Sequence, residues 1–177
     1  AADKASMDKR ASLFSSNYFH YGVDIVDKPS IVSILQKHQP DKIYHLAAES
    51  HVDNSISGSE PFIVTNILGT HSLLEASREY LASINIKNFR FIHVSTDEVY
   101  GALKETGVFT ENSNYLPNSP YSASKASSDL LCRAWYKTYD LPIIVTNCSN
   151  NYGPFHFPEK LIPKTILSCI KKTHIPL

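Results

Sequence analysis

The sequence FRFIHVSTDEVYG, residues 89–101, begins with a short apolar and β-branched run and ends in a turn. The run at 89–95 predicts a buried strand, and similar runs at 42–46 and 141–147 predict two more. Helix-type segments separate the three runs, and strands that alternate with helices indicate βαβ units in a parallel sheet. A fourth short run, at 18–23, predicts an edge strand that precedes the others. We therefore expect an α/β fold.

Helical spacing of apolar residues predicts three helices, at about 28–38, 60–80 and 121–139. In the first helix, Asp27 is the expected N-cap and Pro29 lies in the first turn. The second is the longest candidate and is interrupted only by Gly69. The turn-rich segment 101–120 predicts a long loop, and loops of that length in compact domains are usually functional.

The composition limits the classes of function. A chain of 177 residues with 42% hydrophobic residues fits one domain with a real core. Lys plus Arg equals Asp plus Glu at 17 each, so the overall charge suggests neither a nucleic acid nor an anionic membrane as partner. The apolar runs are far too short to span a bilayer.

Cysteine and histidine usage indicates a reducing compartment and no metal site. Cys132, Cys148 and Cys169 are an odd number of widely spaced thiols, which favours the cytoplasm over a disulfide framework. We expect all three to be buried as small hydrophobic residues. His45 and His51 have no partner at metal-ligand spacing, so we interpret them as structural and predict no metal.

The strongest chemical signal is YSASK, residues 121–125. A Tyr and a Lys four residues apart on a helix share one face, so Tyr121 and Lys125 can approach the same ligand. A nearby cation is expected to lower the pKa of the phenol from about 10. Such a Tyr can take a proton from a sugar hydroxyl while a nicotinamide accepts hydride from the carbon. The spacing alone is a weak signal, because a surface Lys beside a capping Tyr has the same pattern.

The context of that signal is Thr96, Asp97 and Glu98, which follow the central strand at the carboxyl end of the predicted sheet. Ligands bind at this end in open α/β folds. The backbone must turn here if both carboxyl groups are to reach one substrate. Two carboxyl groups in one partly closed site titrate as a pair, which supplies an acid and a base together. The alternative is a solvated acidic turn that caps the strand.

Five motifs in order carry a resemblance to a known family. They are HLAAESHVD at 45–53, TDE at 96–98, YSASKASSD at 121–129, NCSNNYGP at 147–154 and FPEKLIP at 157–163. Together they resemble the dTDP-glucose 4,6-dehydratases, which are extended short-chain dehydrogenases that act on nucleotide sugars. The resemblance implies a Rossmann-like, doubly wound parallel sheet, NAD as cofactor and a dTDP-sugar as substrate.

The resemblance also implies catalytic roles. Tyr121, Lys125 and Thr96 would serve oxidation at C4 of the hexose. The resulting 4-keto group acidifies the C5 proton, which Glu98 would remove as base while Asp97 protonates the departing C6 hydroxyl. Hydride then returns to C6, which gives a 4-keto-6-deoxy sugar, and NAD acts as a retained prosthetic group.

Binding residues carry over from the resemblance position by position. The cofactor contacts would be Asp24, Ile25, Leu46, Ala47, Ala48, Glu49, Ser50, Thr65, Tyr121, Lys125 and Asn151. The substrate contacts would be Ser50, Thr96, Asn150 and Lys160. Two plainer interpretations stay open, since Asp24 could be a turn residue at a strand end and Lys160 a solvated residue at a helix start.

Some expected features of the family are absent from the sequence. There is no G-x-G-x-x-G turn, the chain has only six glycines, and the acidic residue that would hold the ribose is lacking. We therefore expect 1–177 to be a partial NAD-binding Rossmann-like domain whose first strands are missing, with the start of a substrate-binding region at about 149–177. Alone, the chain is expected to bind NAD weakly, to be poorly active and to aggregate through an exposed sheet edge.

Several other functions share parts of this pattern. Another nucleotide-sugar dehydratase, a 4-epimerase or a decarboxylase of the same fold would keep Tyr121 and Lys125. Epimerases do not need the acid and base pair, and GDP-mannose dehydratases typically carry Ser-Glu where this chain has Asp97-Glu98. A non-catalytic NAD-binding scaffold is disfavoured by the intact catalytic set. The resemblance further implies a homodimer of the full-length protein, packed through the helices that start near Pro61 and Tyr121.

Overall fold

The computed structural model describes residues 18–84, 86–103, 105–158 and 160–175. Residues 22–149 form one compact unit, while 18–21 and 150–175 belong to another. The first unit contains helices α1 (Lys28–His38), α2 (Val52–Ser57), α3 (Glu60–Phe62), α4 (Thr70–Ser83) and α5 (Pro120–Tyr139) with strands β1 (Lys42–His45), β2 (Arg90–Thr96) and β3 (Ile143–Cys148). The second contains helix α6 (Leu161–Lys171).

The three strands form a parallel sheet in the order β1-β2-β3. Tyr44 pairs with Ile92, and Ile92 pairs in turn with Ile144. Each crossover contains a helix, as parallel strands require. The expected Rossmann-like α/β fold is confirmed, and the strands predicted at 42–46, 89–95 and 141–147 lie within two residues of their observed bounds.

The predicted edge strand at 18–23 is wrong. These residues are exposed and form no strand ladder with another described part of the chain. The chain turns directly afterwards, where the backbone N–H of Asp27 donates to the carbonyl of Asp24 at 3.0 Å. An apolar, aromatic run acquires strand structure only where a neighbouring strand supplies hydrogen bonds.

Helix α1 begins and ends as the sequence predicts. The Asp27 carboxylate accepts from the backbone N–H of Ser30 at 3.3 Å and from its hydroxyl at 2.6 Å, so it caps the helix. At the other end Gln39 adopts a left-handed conformation and its N–H donates to Leu35. The buried face of Ile31, Val32 and Leu35 packs against the core.

The long second helix is continuous but not uniform. Helices α3 and α4 are joined by a π-helical segment, Ile63–Gly69, without a break in helical backbone conformation. Gly69 is the last residue of this segment, and a Cβ placed there would overlap the side chain of Ile25. Close packing, not a helix end, therefore explains the glycine. π-Helical turns often occur at functional sites.

The core lies on one face of the sheet, under α1, α4 and α5. Its buried members include Leu74, Tyr80, Phe91, Cys132 and Leu141. Alternate strand residues point to the opposite face, which is open among the described residues: Tyr44 is 63% exposed and Ile144 46%. The helices of this unit thus anchor the sheet from one side.

Only part of the cysteine prediction holds. Cys132 is buried as expected, but Cys148 is half-buried and Cys169 is exposed. Cys169 lies on α6, none of whose residues is buried, so this helix offers no interior for a thiol to occupy. None of the three cysteines forms a disulfide. No helix in the described ranges is long and apolar enough to span a membrane.

Candidate active site

A tight turn follows β2 at the carboxyl end of the sheet. The 3₁₀ turn Asp97–Tyr100 starts directly after Thr96, whose hydroxyl accepts from the backbone N–H of Glu98 at 3.3 Å. The sequence predicted that the backbone turns here, and this is confirmed. Because of the turn, Asp97 and Glu98 are both half-buried at the same strand end instead of pointing to opposite faces.

Gly101 lets the chain leave this turn. Its φ of +90° belongs to a region that side chains rarely adopt, and a Cβ here would lie 2.5 Å from the carbonyl oxygen of Leu116. The backbone N–H of Leu116 also donates to Val99 at 2.9 Å. The long predicted loop between β2 and α5 is therefore present and is fastened to the turn that carries the two carboxyl groups.

The start of α5 places Tyr121 at the site. Ser119 caps the helix through a reciprocal pair of hydrogen bonds with Ser122, and Pro120 occupies the first turn. The backbone N–H of Tyr121 donates to the hydroxyl of Ser55 in α2 at 3.2 Å, and Phe62 packs edge-on against the phenol ring. Tyr121 is consequently buried and fixed from two sides.

The phenol of Tyr121 meets the turn after β2. Its hydroxyl lies close enough to the Thr96 side chain and to Glu98 to interact electrostatically. Burial and the negative charge of Glu98 raise the pKa of Tyr121 to about 12, while the side chain of Thr96 opposes this rise. The expectation that Lys125 lowers this pKa is wrong for the chain as described, because burial and a carboxylate prevail.

Lys125 lies one turn further along α5 and points at the central strand. Its ammonium group is buried and donates to the carbonyl of Val94 at 2.8 Å. Burial lowers the pKa of Lys125, and the negative charge of Asp129 opposes that effect. Lys125 therefore fixes α5 to the same strand that ends in Thr96.

The residues predicted to contact the cofactor, 46–50, directly follow β1. They lie at the carboxyl end of the sheet, as does the turn after β2. Leu46 is 67% exposed, and Ala47, Glu49 and Ser50 are exposed as well. The backbone of this run is held by Asn66, whose carboxamide pairs with Glu49 at 2.9 and 3.0 Å. The run is thus fixed in position while its side chains face outward.

Asn66 was missed by the sequence interpretation, which gave it no role within the predicted helix at 60–80. It is 1% exposed and its Nδ2 also donates to the hydroxyl of Ser124 in α5 at 2.8 Å. A signal was available, because an Asn on the core side of a helix needs buried hydrogen-bond partners. Asp129 was also missed, although it lies one helical turn after Lys125.

The remaining predicted residues of the first unit have plainer surroundings. Asp24 is exposed and its carboxylate accepts from the N–H of Val26 at 3.1 Å, as a turn residue does. Ile25 packs against the core and Gly69. Thr65 is half-buried within the π-helical segment. Their roles toward a cofactor stay predictions.

Asn150, Asn151 and Lys160 belong to the second unit. The two asparagines are exposed, and Lys160 is the N-cap position of α6, where its carbonyl accepts from Lys164 at 2.9 Å. A residue at a helix start matches the plainer interpretation of Lys160. The predicted substrate contacts of all three stay predictions.

The residues brought together in the first unit can perform proton transfer. The phenol of Tyr121 lies near the hydroxyl of Thr96, and two carboxyl groups lie on the adjoining turn. A buried ammonium group supplies positive charge one helical turn away. Such a set suits reactions at a carbon that bears a hydroxyl and at its neighbour.

Relatives agree with this geometry. A family model described as GDP-mannose 4,6 dehydratase matches residues 2–176. The dTDP-glucose 4,6-dehydratase 1 of Escherichia coli K12 is 54% identical over 175 residues, which cover 92% of this chain and 48% of that protein. The chain therefore spans about half the length of the curated relatives it matches.

Solved structures give the same picture. A double mutant of a dTDP-glucose 4,6-dehydratase from Streptomyces venezuelae, solved with NAD bound, is 41% identical with a TM-score of 0.85, covering 97% of this chain and 51% of that one. UDP-glucuronic acid 4-epimerase from Bacillus cereus, solved with its substrate and NAD, is 28% identical with a TM-score of 0.83, covering 99% and 54%. Because the family match extends over nearly the whole sequence, the chain belongs to the GDP-mannose 4,6 dehydratase family.

Proposed function

We propose that the protein, at its full natural length, dehydrates dTDP-glucose to dTDP-4-keto-6-deoxyglucose. The observation that carries this proposal is the convergence of Thr96, Tyr121 and Glu98 at one strand end, with Asp97 on the same turn. The 54% identity to a dTDP-glucose 4,6-dehydratase supports the choice of substrate. A 4-epimerase has no use for the neighbouring carboxyl groups, so the site favours the dehydratase.

Tyr121 and Thr96 are assigned to the C4 hydroxyl of the hexose. With a pKa of about 12 the phenol is protonated at neutral pH, so in this state it donates a hydrogen bond. Accepting the C4 proton requires positive charge that offsets Glu98 and burial, and Lys125 lies on the same helix face for that purpose. The Thr96 side chain favours the ionised phenol, because its interaction lowers the pKa of Tyr121.

Asp97 and Glu98 are assigned to the loss of water. Once C4 is a carbonyl, the C5 proton is acidic and Glu98 accepts it as the base. Asp97 gives a proton to the C6 hydroxyl, which leaves as water. One of two adjacent carboxyl groups as acid and the other as base would thus account for both proton transfers.

The exposed run at 46–50 fits a dinucleotide cofactor. Its small and apolar side chains are presented outward on a backbone that Asn66 fixes, which suits the flat faces of nucleotide rings. We assign Asp24, Ile25, Leu46, Ala47, Ala48, Glu49, Ser50, Thr65, Tyr121 and Lys125 to holding NAD. When bound, a nicotinamide supplies the acceptor and donor of hydride that the reaction needs.

The direct test is the product formed from dTDP-glucose by the purified full-length protein in the presence of NAD. We expect a product lighter by one water, with a 4-keto group and a methyl C6 by NMR. A product of unchanged mass with inverted C4 would instead establish a 4-epimerase, and preference for a GDP-sugar or UDP-sugar would overturn the assigned nucleotide.

We also propose that the full-length protein is a homodimer. The two helices that the sequence indicated as the interface carry exposed apolar residues. These are Leu130 on α5 and Ile63, Val64 and Leu68 on the π-helical segment. Light scattering of the wild type and of Leu130→Glu tests this, since a charge in the interface should yield monomers. A cytoplasmic location is proposed as well, and the three cysteines, none of which forms a disulfide, support it.

A further inference from the structure

The carboxylate of Asp129 is the centre of a buried polar network in the middle of α5. Asp129 is 3% exposed, and its Oδ2 accepts from the hydroxyl of Ser95 at 2.7 Å, the phenol of Tyr115 at 2.9 Å and the amide of Asn147 at 3.3 Å. Its Oδ1 lies 3.0 Å from Nε2 of His93. A buried carboxylate with this many donors has a defined position.

The partners of Asp129 belong to separate parts of the proposed site. Ser95 directly precedes Thr96, and Asn147 also donates to the carbonyl of Thr96 at 3.3 Å. Tyr115 lies in the loop that follows the turn with the two carboxyl groups, and its ring packs edge-on against Tyr100 in that turn. One side chain therefore connects α5, the ends of β2 and β3, and the loop.

Asp129 is also the negative charge that accompanies Lys125. The two lie four residues apart on one face of α5, and both are buried. A buried ammonium group is costly unless a negative charge is near. The titratable groups that face Lys125 are His45, His93, Asp129, Cys132 and Cys148.

Asp129 is the carboxylate of that set. Burial lowers the pKa of His45 to about 3 and also lowers the pKa of His93, so both imidazoles are neutral. Burial raises the pKa of Cys132 to about 12, so this thiol is neutral as well. The groups that face Asp129 itself are His93, Tyr100, Tyr115, Lys125 and Cys132.

We propose that Asp129 is a positioning residue of the site: its carboxylate keeps Lys125 charged and holds the strand end of Thr96 and the loop of Tyr115 against α5. The proposal rests on the proposed function only in that Lys125 and Thr96 act on the substrate. Asp129 itself touches neither substrate nor cofactor in this role.

The central test is Asp129→Asn in the full-length protein, with Asp140→Asn as the matched control. Asp140 is an exposed residue that ends the same helix, so the control removes the same charge without touching the network. In Asp129→Asn the pKa of Lys125, followed by NMR of labelled lysine, should fall further below its ordinary value. The basic limb of the kcat/KM profile should move to lower pH by the same amount, and kcat should fall by about a hundredfold.

Two further variants separate charge from hydrogen bonding. Tyr115→Phe removes one donor and keeps the carboxylate, so kcat should fall by about fivefold with the pH profile in place. Asp129→Glu restores the charge, so it should recover the pH profile even where kcat stays reduced. A Lys125 pKa that is the same in wild type and Asp129→Asn would overturn the proposal.

A double variant covers the case in which Asp129→Asn does not fold. In Lys125→Met/Asp129→Asn no buried charge is left alone, so folding should be regained, and a double variant as unstable as Asp129→Asn would contradict the pairing. If the wild type does not convert dTDP-glucose, the proposed function fails, while the Lys125 titration and this stability comparison still decide the role of Asp129.

Discussion

Asn66 holds the backbone of Glu49 with both ends of its carboxamide. Its Oδ1 accepts from the Glu49 N–H at 2.9 Å and its Nδ2 donates to the Glu49 carbonyl at 3.0 Å. The same Nδ2 donates to Ser124, one residue before Lys125. A single buried side chain in the π-helical segment thus connects the end of β1 to the catalytic face of α5.

Replacement of Asn66 by Asp should destabilise the protein by about 2 to 4 kcal/mol. The variant keeps the shape but loses the amide donor, which leaves the Glu49 carbonyl and the Ser124 hydroxyl with one donor fewer, and it buries a charge. Urea denaturation measures the loss. Asn54→Asp, on the exposed face of α2, is the control and should change stability by less than about 0.5 kcal/mol.

The strand and helix pattern could be predicted because local chemistry determines it. The apolar runs at 42–46, 89–95 and 141–147 all became strands, and the Asp27 cap was visible in the sequence. The run at 18–23 has similar composition but pairs with no strand among the described residues, and pairing depends on the neighbouring chain. Composition alone cannot reveal it.

The site was predicted less completely than the fold. The residues of the turn after β2 and of α5 were found because their chemistry is conspicuous in the sequence. Asn66 and Asp129 were missed because their hydrogen-bond partners are distant in the sequence. The partners of Asn66 lie 17 and 58 residues away, and those of Asp129 lie up to 34 residues away. The direction of the Tyr121 pKa was wrong because burial is a property of the folded chain.

Gly101→Ala should impair both stability and activity. The positive φ strains any side chain, and the added Cβ would lie 2.5 Å from the carbonyl oxygen of Leu116, a residue whose backbone N–H donates to Val99 in the turn. A cost of at least about 1 to 3 kcal/mol is expected, together with a displaced Glu98 turn. Thermal unfolding provides the measurement. Gly58→Ala, where nothing lies within 4 Å of the new Cβ and φ is extended, should be close to neutral.

Stability should fall in acid because His45 is buried as a neutral imidazole. Its Nε2 lies 2.8 Å from the Thr70 hydroxyl, which itself donates to the Asn66 carbonyl at 2.7 Å, so Nε2 carries the proton. Burial lowers the pKa of His45 from 6.5 to about 3. Between these two pH values only the unfolded chain binds the proton. The contribution of His45 to the free energy of unfolding is therefore complete above about pH 6.5 and falls by about 1.4 kcal/mol per pH unit below it.

The measurement is the free energy of unfolding of wild type and His45→Gln across this pH window. The Gln variant keeps a donor toward Thr70 and does not titrate, so its pH dependence should be shallower. His93 contributes in the same direction, since burial lowers its pKa too. An equally steep decline in His45→Gln would show that His45 is not the cause.

The pKa of Tyr121 should respond in opposite directions to two substitutions. Glu98→Gln removes a negative charge and should lower it, whereas Thr96→Val removes the hydroxyl that lowers it and should raise it. NMR titration of Cζ-labelled tyrosine follows both, with Tyr121→Phe used to assign the resonance. Glu105→Gln, an exposed change in the loop, should leave the midpoint in place. Equal titration midpoints in all variants would show that Thr96 and Glu98 do not affect the pKa of Tyr121, which would contradict the prediction.

The account depends most on Glu98 and Tyr121 acting on the same hexose. The decisive measurement is conversion of dTDP-glucose in heavy water by the full-length wild type, Glu98→Gln and Glu105→Gln. We predict a 4-keto-6-deoxy product with deuterium at C5 from the wild type and from Glu105→Gln, and a loss of at least about a hundredfold in Glu98→Gln. Turnover by Glu98→Gln at the wild-type rate, with the same deuterium at C5, would contradict the account.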